Sequence, residues 1–216
     1  MWYIFRHGET FDNLRKDRVM GHTKHIYLTY NGILQTYLNG LKLLKTKEDF
    51  TKYRFVCSPL ERADHTCQLL LDTIDLRFDK KEQECLLIER TQGEFDGLTH
   101  KYIHKLYPKE LEIIKNNNWS CIVCKNYNTH KNVFLQVINF IEKYKNEKDL
   151  VIVAHEGICQ KLMYLLQKKL SIDELREFIN GLSDKEGHEL VYNLNKTIAF
   201  NQNYFYSWDG NDLVRI

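Results

Sequence analysis

The sequence predicts an α/β fold whose central sheet is mainly parallel. Short apolar stretches alternate with amphipathic helical patterns along the whole chain, as in successive β-α-β units. Residues 150–154 form a continuous apolar run, which is typical of a strand buried on both faces. The chain has 216 residues and 2 prolines, without repeats or a linker, so we expect one domain over residues 1–216.

The first half of the chain predicts three strands and two helices. Strands are expected at residues 1–6, 53–57 and 85–88, the last after a charged loop at residues 79–84. Thr29 is expected to cap a helix. The apolar face of that helix is predicted from helical spacing: Leu34, Tyr37, Leu38, Leu41 and Leu44. The S-P-L-E sequence at residues 58–61 resembles a capping box with proline at the first helical position.

The second half continues the alternation and then changes character. Amphipathic helices are expected at residues 133–144 and after the buried strand, and S-I-D-E at residues 171–174 predicts a second capping box. Residues 189–194 are expected to form a strand. Residues 204–208 and 213–216 are expected to form a hairpin that turns at Asp209-Gly210. Residues 115–130 show the least pattern and are the expected mobile loop.

Charge and hydropathy exclude several classes of protein. The formal net charge is +2, from 31 basic and 29 acidic residues, which argues against a nucleic-acid-binding protein with a dense positive face. No run approaches the length of a membrane-spanning helix. Residues 1–7 reach a charge too early for the hydrophobic region of a signal peptide. We therefore expect a cytoplasmic protein with neither nucleic-acid nor membrane partners.

The cysteines predict packing rather than a cofactor. Four of them lie in apolar runs, where a free thiol behaves as a small core residue: Cys57, Cys67, Cys85 and Cys159. Cys121 and Cys124 form a C-x-x-C whose only nearby partner pair is His100 and His104. That histidine pair has the spacing of an ordinary surface helix, so neither a metal site nor a disulfide is expected.

Unusual polar residues follow the predicted strands. The first strand ends in R-H-G-E-T at residues 6–10, and the second leads into S-P-L-E-R-A at residues 58–63. The strand at 150–154 ends in His155 and Glu156, and Glu89 follows the strand expected at 85–88. Because ligands bind at the carboxyl ends of parallel strands, we expect these side chains to converge on one sheet edge.

This set of residues suits phosphoryl transfer. Arg6 and Arg62 offer forked donors that match phosphoryl oxygens. His7 is nucleophilic when neutral near pH 7, His155 can donate to the same phosphate, and a carboxylic acid can protonate a departing alkoxide. The sequence has neither a Walker-type glycine loop nor an aspartate-rich magnesium cluster, so no cofactor is expected and the positive charge must come from side chains.

These motifs together resemble the histidine phosphatases, the phosphoglycerate-mutase-like superfamily. Its signature is similar to R-H-G-E-T at 6–10, its L-T-x-x-G to residues 28–32, and its S-P-L-x-R-A-x-x-T to residues 58–66. Residues 89–97 resemble its E-x-x-x-G-x-W-x-G, with phenylalanine at the tryptophan position. The motifs occur in order over about residues 1–170. The resemblance implies a three-layer α/β/α fold with a mainly parallel central sheet.

The resemblance also implies residue roles. His7 is expected to be phosphorylated, and Arg6, Arg62 and His155 to hold the phosphate. Asn13 is expected to contact the phosphoryl oxygens or the substrate, and Glu89 to donate the proton. Glu156 replaces a common glycine and is a rival proton donor, since another branch places its acid directly after the second histidine. A mobile lid is expected near residues 98–130, although the family's glycine-glycine-glutamate motif before the following helix has no counterpart.

The sequence therefore predicts a phosphatase that acts on a phosphate monoester, either a small molecule or a phosphoprotein. A cofactor-dependent mutase is the alternative within enzymes. Residues 91–154 contain no arginine to grip a phosphoglycerate, which favours hydrolysis. The alternative of another class is a non-catalytic phosphate-binding or scaffold protein that kept the fold. The sequence leaves the substrate and the oligomeric state open.

Overall fold

The computed structural model describes residues 1–197 and 202–216. The strands are β1 (Trp2–Arg6), β2 (Arg54–Cys57), β3 (Lys81–Gln83), β4 (Leu150–Ala154), β5 (Tyr206–Trp208) and β6 (Leu213–Arg215). The helices are α1 (Phe11–Arg15), α2 (Tyr30–Lys45), α3 (Glu61–Thr73), α4 (His100–Leu106), α5 (Pro108–Asn116), α6 (His130–Tyr144), α7 (Glu156–Gln167), α8 (Ile172–Gly181) and α9 (Asp184–Thr197). None of these helices combines the length and apolar character needed to cross a membrane.

The strands form one mixed sheet in the order β3-β2-β4-β1-β5-β6. β3, β2, β4 and β1 run parallel, and the terminal pair β5 and β6 is antiparallel. β4 lies between β1 and β2, with Leu150 opposite both Trp2 and Arg54, and all of its residues are buried. The predicted central buried strand and the predicted C-terminal hairpin are both confirmed.

Alternating residues of the strands face two helical layers. Trp2 and Ile4 of β1 belong to a core with α6, α7, α8 and α9. Tyr3 and Phe5 belong to a second core with α2 and α3 on the opposite face. This division follows from the two-residue period of a strand, and it confirms the three-layer α/β/α architecture.

Two predicted strands are wrong. Residues 85–88 contain a 3-10 turn, Cys85–Leu87, and the strand is β3 in the segment predicted as a charged loop. β3 is an edge strand that is partly exposed to solvent, so its sequence does not need an apolar pattern. Cys85, expected in an apolar strand, is exposed. Residues 189–194 belong to α9, which buries Val191 and Leu194.

The helix capped by Thr29 is confirmed as α2, but its predicted apolar face is wrong. Leu41 is half-buried, and the other predicted face residues are exposed: Leu34, Tyr37, Leu38 and Leu44. The buried side is instead Gln35, Thr36, Asn39, Gly40 and Leu43. The reason is close helix packing, since a Cβ at Gly40 would lie 2.6 Å from Thr73 Cγ2 of α3. The contact requires a small residue.

The segment expected to form a lid contains structure of its own. Residues 98–130 include α4 and α5, and Ile103 packs with Val19, Phe95 and Tyr127 in a third apolar cluster. The part predicted as an unpatterned loop lies mostly after Asn116, where α5 ends. Mobility of this segment stays a prediction.

Candidate active site

The carboxyl ends of three neighbouring strands meet at one edge of the sheet. Arg6 ends β1, Ser58 follows β2, and His155 follows β4. The backbone N–H of His7 donates to Ala154 O at 2.9 Å, and that of Ser58 donates to Val153 O at 3.0 Å. The parallel pairing therefore brings the predicted strand-end residues together. The ring centroids of His7 and His155 lie 5.3 Å apart.

His7 is held with one nitrogen fixed. Its side chain is buried, and Nδ1 lies 2.8 Å from Gly8 O. Because a carbonyl oxygen only accepts, Nδ1 donates its proton there, and in the neutral ring Nε2 carries the lone pair. Burial, with added repulsion from Arg6 and Arg62, holds the pKa of His7 well below its usual range. The ring is neutral at pH 7.

This shift predicts the acid limit of any reaction that needs neutral His7. Because the pKa is lowered, the His7 imidazolium forms only at lower pH. The Nε2 lone pair therefore stays available to react well below pH 6.5. The check is an NMR titration of the histidine ring protons, with the His7 signals assigned by their absence in H7A. A His7 midpoint at or above 6.5 would contradict the prediction.

His155 is fully buried, and its ring lies next to that of His7. Its Nε2 lies 2.8 Å from Ser58 Oγ, and its Nδ1 has no hydrogen-bond partner in the described residues. Burial, then Arg62 and His7, hold its pKa well below the usual range. Ser58 Oγ also accepts from Leu60 N–H at 3.3 Å, so the predicted S-P-L-E capping box is wrong: the N-cap of α3 is Leu60, without a side-chain cap.

Arg62 reaches the site from the first turn of α3. Its side chain is buried, and its guanidinium donates to Gly21 O at 2.9 Å and to Thr23 O at 3.4 Å. Burial lowers its pKa, which Glu89 partly offsets. Arg62 Nε has no partner in the described part of the chain. Among the described residues, backbone carbonyls accept from the fork, and no ion pair neutralises its charge.

The loop that holds Arg62 depends on Gly21 and Asp96. Gly21 has φ +43°, and a Cβ there would lie 1.8 Å from Asp96 Oδ1. Asp96 accepts from His22 N–H at 3.0 Å and from Thr91 Oγ1 at 2.7 Å. Sequence reasoning did not select Gly21 or Asp96, although Asp96 lies inside the motif at residues 89–97.

Replacing Arg62 by lysine is expected to lower kcat/KM for a phosphate monoester by about 100-fold, because lysine keeps the charge but not the fork that spans both carbonyls. Arg77, which is 83% exposed on its side chain, supplies the matched control. R77K should retain wild-type kinetics. A loss of less than about threefold in R62K would show that the fork is not needed.

Two carboxylates lie at the same edge in different settings. Glu156, the first residue of α7, pairs with Arg6 at 3.0 Å and has a side chain 43% exposed. Glu89 accepts from Arg90 N–H at 2.9 Å and forms no ion pair with described residues. A Cβ at Gly157 would lie 3.0 Å from Glu89 Oε1, so α7 closes on that carboxylate.

A cavity of about 430 Å³ joins most of the predicted residues. Its walls include Arg6, His7, Arg62, Glu89 and Glu156. Further polar residues that sequence reasoning did not select also line it: Arg90, Asn118, His130 and Lys161. The position of Arg90, directly after Glu89, could have marked it as a candidate site residue. The sequence contains no such indication for Lys161, since it lies within the apolar pattern of α7.

Asn13 is not brought into this cavity. Its Oδ1 accepts from Thr10 N–H at 3.0 Å, which closes a capping box at the start of α1. Asn13 lines an adjoining cavity of about 690 Å³. The two cavities share Arg6, Met20 and Glu156, so the adjoining one opens onto the same edge of the sheet.

The remaining candidates do not line the cavity of about 430 Å³, although His100 lines the adjoining one. His100 and His104 are exposed on α4, as expected of a surface helix. Cys121 and Cys124 are half-buried, and Cys124 Sγ donates to Gln92 O at 3.5 Å. In the described residues, no group of three or more histidine, cysteine or acidic side chains is arranged to hold a metal ion.

The chain is similar to known proteins in both sequence and fold. The family model of the histidine phosphatase superfamily (branch 1) matches residues 2–185. Alpha-ribazole phosphatase from Shigella flexneri is 25% identical, with a TM-score of 0.65 over 81% of this chain and 82% of that one. Mycobacterial glucosyl-3-phosphoglycerate phosphatase is 21% identical, with a TM-score of 0.61 over 81% and 82% of the two chains. Bacillus stearothermophilus YhfR is 18% identical, with a TM-score of 0.68 over 99% and 93%.

Proposed function

Since the chain belongs to the histidine phosphatase superfamily (branch 1), we propose that it is a phosphatase that hydrolyses a phosphate monoester through a phosphohistidine on His7. One observation carries the proposal. A buried, neutral His7 and two arginines, Arg6 and Arg62, line one cavity with the carboxylates Glu89 and Glu156. A nucleophile, phosphate ligands and a proton donor are thus within one site.

In the first step His7 Nε2 attacks phosphorus. The proton stays on Nδ1, which donates it in a hydrogen bond to Gly8 O, so the Nε2 lone pair forms the N–P bond while the ester P–O bond breaks. The alkoxide leaves with a proton from the carboxylic acid of Glu89. Arg6 and Arg62 stabilise the charge on the phosphoryl oxygens. His155 is fully buried and does not line the cavity, and its Nδ1, unpartnered in the described residues, becomes a further donor when the phosphate binds beside His7.

In the second step water attacks the phosphohistidine. Glu89, now a carboxylate, takes the proton from the water, the P–N bond breaks, and Nε2 recovers its lone pair. Inorganic phosphate leaves, and the protein returns to its starting state with Glu89 protonated. No cofactor is required for this balance. Glu156 is the less suited acid, because a proton on it would break its ion pair with Arg6.

A labelling experiment tests the proposal. The protein is mixed with a monoester labelled in its phosphate and quenched in alkali, which preserves a P–N bond. We expect label on His7 and steady release of inorganic phosphate. Return of the label to a second substrate molecule without net release would identify a mutase. Neither label nor release from any monoester would leave a non-catalytic phosphate-binding protein.

A further inference from the structure

The catalytic cavity carries a second group of basic residues that the proposed reaction does not use. Arg90, His130 and Lys161 line the cavity together with Asn118. His130 lies in the electrostatic field of Arg90 and Lys161, whereas His7 lies in that of Arg6 and Arg62. Glu89 lines the same cavity and is close enough to influence the charge of both Arg62 and Lys161. The cavity therefore holds two groups of basic residues, each near Glu89.

Lys161 is a buried cation that forms no ion pair with any described residue. Its residue is 4% exposed, and Nζ donates to Gly157 O at 3.2 Å and lies 5.4 Å from the ring centre of Phe134. Burial lowers its pKa to about 8, against the opposing effect of Glu89. At pH 7 it is still mostly protonated. A desolvated charge of this kind is costly unless an anion joins it.

Arg90 and His130 add donors to the same wall. Arg90 donates to Tyr127 Oη at 3.0 Å and to Asn128 O at 3.3 Å, both neutral acceptors, and forms no ion pair within the described residues. His130 is the first residue of α6, where the helix dipole favours an anion. Its buried Nδ1 has no hydrogen-bond partner among the described residues.

We propose that Lys161, Arg90 and His130 form a second anion subsite, which selects phosphate monoesters whose leaving group carries another anionic group. This inference rests on the proposed phosphatase activity. The first phosphate lies at Arg6, His7 and Arg62, and the second anion lies at the other basic group of the same cavity wall. The anion is a carboxylate or a phosphate, and both have the oxygen acceptors that these donors need.

Matched substrates test the subsite in the wild-type protein. Alkyl phosphates of two to six carbons are compared with ω-carboxyalkyl phosphates and with α,ω-bisphosphates of the same length. We expect kcat/KM to be about tenfold or more higher for one charged series, because each hydrogen bond to a charged group contributes binding energy. The preferred series identifies the anion. Equal kcat/KM across all three series overturns the subsite, while phosphatase activity on alkyl phosphates would still stand.

The variant K161M tests the residue assignment, with K168M at the exposed end of the same helix as the matched control. K161M should lower the ratio of kcat/KM between charged and uncharged substrates by about tenfold. K168M should leave the ratio unchanged. Removal of an unpaired buried charge is not expected to unfold the protein, and a melting curve checks this. An unchanged ratio in folded K161M overturns the assignment.

Equilibrium binding separates the two proposals. Calorimetry with heptane-1,7-bisphosphonate, the analogue of pentane-1,5-bisphosphate in which CH2 replaces each ester oxygen, measures the dissociation constant of the wild-type protein and of K161M without turnover, because its C–P bonds are not hydrolysed. A larger dissociation constant in K161M supports the subsite even if no monoester is hydrolysed, and in that case only the proposed function fails. An equal dissociation constant in both proteins overturns the subsite.

Discussion

H7A is expected to release phosphate from a monoester at least about 10⁴-fold more slowly than the wild-type protein, and to acquire no label. Removal of the imidazole removes Nε2, the nucleophile that lies in the field of Arg6 and Arg62 on the cavity wall. The residual rate is that of water attacking a phosphate still held by Arg6 and Arg62. The measurement is kcat/KM for a phosphate monoester, together with alkali-stable incorporation of label.

Two comparisons make the H7A result specific. Within the described residues the His7 side chain forms a hydrogen bond only with the neighbouring Gly8 carbonyl, so the variant should keep its fold, which a melting curve checks. H104A, at an exposed histidine of α4, should behave as the wild type does. If folded H7A retained activity within about tenfold, a phosphohistidine at this position would be ruled out.

The strand-end residues could be predicted because topology alone brings them together. β2, β4 and β1 are parallel neighbours, so the residues that follow them share an edge whatever the details of packing. This is why Arg6, His7 and His155 were found from sequence. Asn13 was expected from the family resemblance rather than from topology, and its side chain caps α1.

Other features depend on packing that a single sequence does not encode locally. Lys161 faces the cavity only because α7 turns that side of the helix inward, and its neighbours in sequence are core residues. Leu34 and Tyr37 of α2 are exposed because the helix packs through Gly40 instead. In α9, residues 189–194 are too few to separate a two-residue period from a helical one.

The choice between Glu89 and Glu156 has a clear kinetic signature. A proton donor matters only when the departing oxygen is a poor leaving group. E89Q is therefore expected to lower kcat for an alkyl phosphate by about 10³-fold, while a nitrophenyl phosphate loses far less. The two substrates differ chiefly in the basicity of the leaving oxygen. The measurement is the slope of log kcat against the leaving-group pKa, which should become steeper in E89Q.

E156Q is the matched variant, because it makes the same chemical change at the other carboxylate. Its loss should be modest and equal for both substrates, since glutamine at 156 removes the charge that pairs with Arg6 at 3.0 Å but no transferred proton. A steeper leaving-group slope in E156Q, with an unchanged slope in E89Q, would assign the proton to Glu156. The ion pair with Arg6 would then have to break in each turnover, because a protonated carboxyl no longer pairs with the guanidinium.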